Sequence, residues 1–221
     1  MVVAPVIAID GPSGSGKGTL SQMLASRLGY HLLDSGALYR LVALAALNKK
    51  QELDDESGLA RIAAALDVRF ETDGQSTRIF LDGNHVSDAI RTEDVGMAAS
   101  KVAAYPAVRD ALLARQRGFA QIPGLVADGR DMGTTVFPDA EHKIFLTASA
   151  EARADRRCKQ LSAKGIFVNR DEVIRDIQAR DERDINRSVS PLKPAIDAVV
   201  IDSTRMTIDE VFAAMLDIVR R

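Results

Sequence analysis

Residues 6–19 read VIAIDGPSGSGKGT, an apolar run that ends at Asp10 and opens straight into a glycine-rich turn. A short apolar run bounded by glycines is the pattern of a buried strand. The loop continues through Gly11, Pro12, Ser13, Gly14, Ser15, Gly16, Lys17, Gly18 and Thr19, and its glycines let successive backbone N–H groups converge on one point. A helix beginning near Lys17 adds its positive dipole end, and the Lys17 ammonium reaches the outer phosphates of a triphosphate. The G-x-x-x-x-G-K spacing of a phosphate-binding loop is met. The position after the lysine is Gly18, with Thr19 one step later, so the hydroxyl that usually contacts Mg2+ is displaced by one residue. With a strand before, a lysine inside and a helix after, a phosphate cradle outweighs an idle glycine turn, and Lys17 becomes its candidate catalytic residue.

Downstream, Leu20, Met23, Leu24 and Leu28 fall at helical spacing up to Gly29, and residues 30–33 read as a second strand. Asp34 or Ser35 is placed to cap a helix over 37–47, striped by Leu38, Leu41, Val42 and Ala45. From Leu66 to Val86 the period becomes two. Leu66, Val68 and Phe70 alternate with polar residues, Ile79 and Leu81 flank Phe80, and Asp73-Gly74 and Asp82-Gly83-Asn84 supply turns, which predicts a small antiparallel meander. Thr92 starts a helix, and Pro106 takes the first position of the next. Runs at 125–128, 143–147 and 198–202 are short, apolar and end in polar residues, as parallel strands do where their carboxyl ends face a ligand crevice. The expected fold class is α/β: a five-stranded, parallel, doubly wound core over residues 1–63 and 106–221, with a small antiparallel β insert over 64–105.

The 221 residues suffice for a sizeable hydrophobic centre. A formal net charge of −2 argues against a nucleic-acid partner, because no positive excess exists to neutralise a run of phosphates. The lone cysteine, Cys158, excludes an internal disulfide and any multi-cysteine metal site, and it suits a reducing, cytoplasmic setting. Val2 to Ile9 is too short to cross a bilayer and runs into the loop, so it reads as a strand rather than a signal peptide, and no membrane partner is expected. His31, His85 and His142 are scattered without ligand spacing.

Phosphoryl transfer asks for positioning and for positive charge around the transferred group, so arginines should converge near such a cradle. The candidates are Arg40, Arg130, Arg153, Arg156, Arg157, Arg180, Arg183 and Arg187. Arg180, Asp184 and Arg187 are spaced i, i+4, i+7 and would share one helical face. Arginine suits bidentate phosphate contacts, which favours a binding role for Arg180 and Arg187, whereas Arg153, Arg183, Asp155 and Asp181 read as surface ion pairs. At the end of the 125–128 run stands DGRDMGT, residues 128–134. Asp128 there is suited to orienting Mg2+ or its waters, Arg130 to holding an acceptor phosphate, and Asp131 to accepting hydrogen bonds from a base. The alternative is an Asp-Gly turn with a salt bridge.

With these segments in view, the chain resembles bacterial cytidylate kinases, within the nucleoside monophosphate kinase superfamily. The resemblance runs nearly end to end: IDGPSGSGKGT at 9–19, LLDSGALYR at 32–40, IRTEDV at 90–95, ADGRDMGT at 127–134 and RDERDINR at 180–187. The first segment marks only the superfamily, while the other four are far more specific. The resemblance implies a P-loop kinase core, a monophosphate-binding insert, and a short helical lid over about 150–190. It also implies ATP with Mg2+ as the donor and CMP and dCMP as acceptors, in a monomeric enzyme. Carried over by position, Ser35, Arg40, Ser100, Arg109, Arg130, Asp131, Arg180, Asp184 and Arg187 correspond to the family's monophosphate site. Gly11 to Thr19, with Arg156 and Arg157, correspond to the donor side, Lys17, Arg130 and Arg187 to catalytic residues, and Thr19 and Asp128 to the metal. Lys101 reads as helix packing or surface. A P-loop kinase for another nucleoside monophosphate or small metabolite is the second reading. A GTP-dependent switch is a third, disfavoured by the lack of an N-K-x-D run.

Overall fold

A computed structural model describes residues 4–72, 77–163 and 165–220. Its contacts divide the chain into two compact units, residues 1–34 with 117–221 and residues 35–116. The second unit is wider than the insert expected over 64–105. The predicted turn at Asp73-Gly74 lies outside the described residues.

The first unit is built on a five-stranded parallel sheet with the order β2-β6-β1-β7-β8. Its strands are β1 (Val6–Asp10), β2 (His31–Asp34), β6 (Leu125–Gly129), β7 (His142–Thr147) and β8 (Val199–Asp202). All five lie where the apolar runs predicted them, within a residue or so at each end. β1 is central and wholly buried because Val6, Ile7, Ala8 and Ile9 offer apolar surface to both faces. From β6 the chain crosses past β1 to β7, so the turn after β1 lies at the point where strand order reverses, the usual place for a ligand crevice. Helix α1 (Lys17–Leu28) and helix α8 (Ile208–Val219) bury Leu20, Leu24, Val211 and Met215 against Ile7, Ile9, Val126, Ile144 and Leu146. Each such side chain contributes about 1.5–3 kcal/mol on burial. α8 opens with a capping box, Thr207 and Glu210 satisfying each other's backbone N–H groups. Helices α6 (Ala150–Ser162) and α7 (Arg170–Asn186) form a hairpin between β7 and β8. Among the described residues no helix is long and apolar enough to cross a membrane.

In the second unit, helix α2 (Ser35–Asn48) follows β2 without a loop. Leu38, Leu41, Val42, Ala45 and Ala46 are buried, and α2 packs on α3 (Glu56–Ala64) and α4 (Glu93–Val102). Sequence periodicity did not mark α3. Its signal is local: Asp55 precedes it and its carboxylate accepts the Gly58 N–H at 2.9 Å. The meander forms as predicted, with antiparallel strands β3 (Val68–Thr72), β4 (Thr77–Leu81) and β5 (Asn84–His85). Asp82 (φ 48°) and Gly83 (φ 77°) make its two-residue turn, which needs positive φ at both positions. Helix α5 (Pro106–Arg117) begins at the predicted proline, and Thr92 precedes α4 as expected.

Candidate active site

The phosphate loop is held from beneath. Pro12 O accepts from Ser15 Oγ (3.0 Å) and Lys17 Nζ (2.9 Å), Ser13 O from Arg153 (3.0 Å), and Ser15 O from Arg156 (3.3 Å). Across a trans peptide N–H and C=O point opposite ways, so the N–H groups of Ser13, Gly14 and Gly16 point away from these side chains. A Cβ on Gly11 would lie 2.0 Å from Leu146 O, so only glycine can occupy the start of the loop. The first turn of α1 has neither a side-chain cap nor an acidic residue, and its amide donors remain for an anion.

Lys17 is buried, and burial lowers its pKa to about 7, helped by Arg130 and opposed by Asp128, Asp10 and Asp184. Asp128, the residue before the end of β6, stands opposite Ile9 and Asp34. Burial lifts its pKa to about 7, against the pull of Lys17. Bound phosphate oxygens would add to these carboxylates in favouring the charged form of Lys17. Arg130 donates from Nε to Asp184 Oδ2 at 2.9 Å. Burial works to raise the Asp184 pKa, but Arg130, Arg187 and Arg180 outweigh it and hold the carboxylate below its ordinary range. The predicted convergence of Arg130, Arg180, Asp184 and Arg187 is therefore present, with one correction. α7 ends at Asn186, and Arg187 follows in an extended conformation (φ −64°, ψ 142°) with its Nε on Ser190 O. Arg180 and Asp184 share a helical face; Arg187 acts on the same carboxylate through its charge, from beyond the helix.

Gly18 stands beside Asp128. A Cβ there would stand 3.6 Å from Asp128 Oδ2, so the missing side chain leaves room beside a carboxylate. Mg2+ keeps several waters and is commonly held by one or two carboxylates plus substrate phosphates, which this arrangement fits. No group of three or more His, Cys, Asp or Glu residues placed to hold a metal ion occurs among the described residues. Thr19 is exposed on α1 and lines an open groove of about 560 Å³ with Gln22, Met23, Ser26, Arg27 and Phe212.

Arg153 and Asp181 correct the sequence reading. Arg153 is only 4% exposed, clasps Asp181 of α7 through both guanidinium amino groups, and reaches Ala148 O as well as Ser13 O. It is a buried brace joining the phosphate loop to α7. Arg183, by contrast, is exposed, and Asp155 makes the expected surface pair, with Arg170. Arg156 donates to Ser203 Oγ (3.1 Å) and to its carbonyl, which gives the end of β8 a supporting role. Arg157 is half-buried one residue on.

The second unit holds the other candidates. Ser35 is buried and donates to Gln116 Oε1 at 2.7 Å, rather than capping α2. Arg40 donates to Ile90 O (2.7 Å) and Thr92 O (3.3 Å), and a Cβ on Gly96 would come within 2.9 Å of its guanidinium. The Ser100 Oγ, one turn further along α4, is buried without a hydrogen-bond partner. Arg109 is buried, donates to Ala103 O (3.1 Å) and lies 5.5 Å over the Tyr39 ring. Lys101 pairs with Asp54 at the surface. Gln116, Gly96 and Tyr39 had no sequence signal because each works through a neighbour more than ten residues away.

The model of the cytidylate kinase family matches residues 7–221. Over 214 residues the chain is 63% identical to the cytidylate kinase of Aeromonas salmonicida, covering 97% of this chain and 93% of that one. It is 61% identical over 216 residues to the cytidylate kinase of Pseudomonas fluorescens, covering 97% and 94%. Among solved structures, an uncharacterized protein from Eubacterium ventriosum matches with a TM-score of 0.52 at 12% identity, covering 98% of this chain and 99% of that one, a likeness of fold alone.

Proposed function

Because this chain belongs to the cytidylate kinase family, we propose that it transfers the γ-phosphoryl group of ATP to CMP or dCMP, giving ADP and CDP or dCDP. The observation that supports this most directly is the buried set of Lys17, Asp128 and Asp184, with the half-buried Arg130 paired to Asp184, gathered at the carboxyl end of the sheet beside a phosphate loop. A phosphate oxygen of the acceptor attacks the γ-phosphorus, the new P–O bond forms as the bond to the β-phosphate oxygen breaks, and ADP leaves. The loop N–H groups hold the donor phosphates, and Lys17 balances charge that builds on the transferred group. Arg130, Arg180 and Arg187 take the acceptor phosphate and align it, with Asp184 keeping Arg130 in place. Asp131 accepts from the cytosine amino group, and Ser35, Arg40, Ser100 and Arg109 complete the acceptor-binding residues of this reading. Mg2+, held by Asp128 and Thr19 in this reading, would neutralise charge on the donor phosphates. Arg156 and Arg157 belong to the donor side, and the α6–α7 hairpin acts as the lid. The lone cysteine and the free nucleotide substrates suit the cytoplasm.

Incubation with ATP, Mg2+ and separate nucleoside monophosphates, following ADP release, tests the proposal. CMP and dCMP should be the fastest acceptors. Absence of turnover with both, or faster turnover with another monophosphate, would refute it.

A further inference from the structure

Asp10 is the last residue of β1, paired in register with Gly129 on β6 and Phe145 on β7, and only 4% of it is exposed. Its carboxylate spends both oxygens on backbone donors far away in sequence. Oδ1 accepts the Met132 N–H at 2.8 Å and Oδ2 accepts the Gly133 N–H at 2.8 Å. These two amides open the short helical turn Met132–Val136. The residue at the N-cap of that turn, Asp131, makes no capping hydrogen bond with its side chain. Aspartate is among the best capping residues, so the turn has its own cap at hand and takes one from another strand instead. The Asp131 carboxylate is thereby not spent on its own turn.

Only a carboxylate can do this from position 10. Two N–H donors meet two oxygens, whereas an amide would turn one NH2 group against an N–H. A Cβ on Gly133 would lie 3.5 Å from Asp10 Oδ2, an ordinary contact, and 3.2 Å from Lys143 Cδ, so the tight neighbour of this glycine is the Lys143 side chain. The residues strung between the end of β6 and this pinned turn are Arg130 and Asp131. By its backbone Asp10 leads into Gly11 and the phosphate loop; by its side chain it holds the segment that carries Arg130 and Asp131.

We propose that Asp10 is a positioning residue that sets the segment 129–133 in register with the phosphate loop, so that the acceptor-side groups stand where the donor phosphate is presented. The kinetic part of this inference rests on the phosphoryl-transfer reading above; the structural part does not. Asp10→Asn preserves size and loses one of the two accepted bonds. Its amide exchange at Met132 or Gly133 should accelerate at least about tenfold while exchange at Ile7 and Val126 stays unchanged. KM for CMP should rise, or kcat fall, by about tenfold to a hundredfold, a range expected when a reacting group is displaced by about an ångström, while KM for ATP stays within about threefold.

A double-mutant cycle separates positioning from general damage. If Asp10 acts through the segment, Asp10→Asn in an Arg130→Ala background should add less than about threefold to the loss caused by Arg130→Ala alone. Asp10→Ser leaves a single hydroxyl acceptor and, unlike Asp10→Asn, puts no NH2 group against a backbone N–H, so its folding does not depend on the same balance, and it should show the same loss on the CMP side. Unchanged exchange at both amides in these variants, or fully additive kinetic effects, would overturn the proposal. Failure of the wild-type protein to phosphorylate CMP would overturn the functional reading instead, and the exchange measurement would still decide whether Asp10 holds the segment.

Discussion

Lys17 is a buried amine set among the carboxylates of Asp128, Asp10 and Asp184, with Arg130 opposing its charge. Its Nζ rests on Pro12 O and its pKa is depressed to about 7, chiefly by burial. Lys17→Ala should therefore lower turnover by roughly 10²-fold or more, as loss of one preorganised donor does, while leaving urea unfolding largely intact. Near-normal turnover would sink the assignment. For base choice, cytosine offers an amino donor where uracil presents a carbonyl acceptor, and a carboxylate at Asp131 attracts the first and repels the second. Asp131→Asn should lower kcat/KM for CMP much more than for UMP, narrowing a preference of roughly ten- to a hundredfold; an unchanged ratio would refute this account. Asp10 provides a stability test with a defined sign. Burial raises its pKa from 3.8 to about 6, with Asp131 adding to the rise and the Gly133 and Met132 N–H groups and Lys17 opposing it. A carboxyl whose folded pKa is raised favours the folded state most below the unfolded value, and that advantage is lost as pH rises through the folded value. Relative to Asp10→Asn, the wild-type unfolding free energy should fall by about 3 kcal/mol between pH 4 and 6 and stay level above, measured by urea titration. A flat difference across that window would contradict it.

Within elements, the α6–α7 hairpin shows how pattern and placement diverge. Alternating charges along both helices look like solvated faces, and for Arg170 with Asp155 they are. Arg153 has the same sequence appearance and is buried, because α6 starts directly after β7 and its first turn passes under the phosphate loop at Ser13. Arg153→Ala would leave Asp181 without its bidentate partner and the loop without a support. It should cost about 3 kcal/mol in urea unfolding and raise KM for ATP, whereas a surface pair would be worth less than about 1 kcal/mol. If the hairpin is a lid, a bisubstrate analogue should slow amide exchange across α6 and α7. An unchanged exchange profile would count against closure. α3 and the extended Arg187 mark the limits of periodicity, since nine residues carry too few turns for a clear stripe and a helix can end one residue before a spacing rule does.

Across the whole molecule, the phosphate loop, the five parallel strands, the meander and the starts of α4 and α5 were legible in the chain itself. Glycine at a turn, proline at a first helical position and alternation along a strand act through steric and solvation effects spanning a few residues, so they survive without tertiary context. The segments that carry the candidate residues were legible too, because they are short and contiguous. Their electrostatic states were not. Which arginine is a brace and which is solvated, why Lys17 and Asp128 both sit near pKa 7, and that Asp10 holds amides 122 and 123 residues away all depend on strand order. The order β2-β6-β1-β7-β8 places β6 beside β1 and brings their carboxyl ends under common cover. Desolvation and pairing belong to that three-dimensional neighbourhood, and no spacing along the chain encodes them.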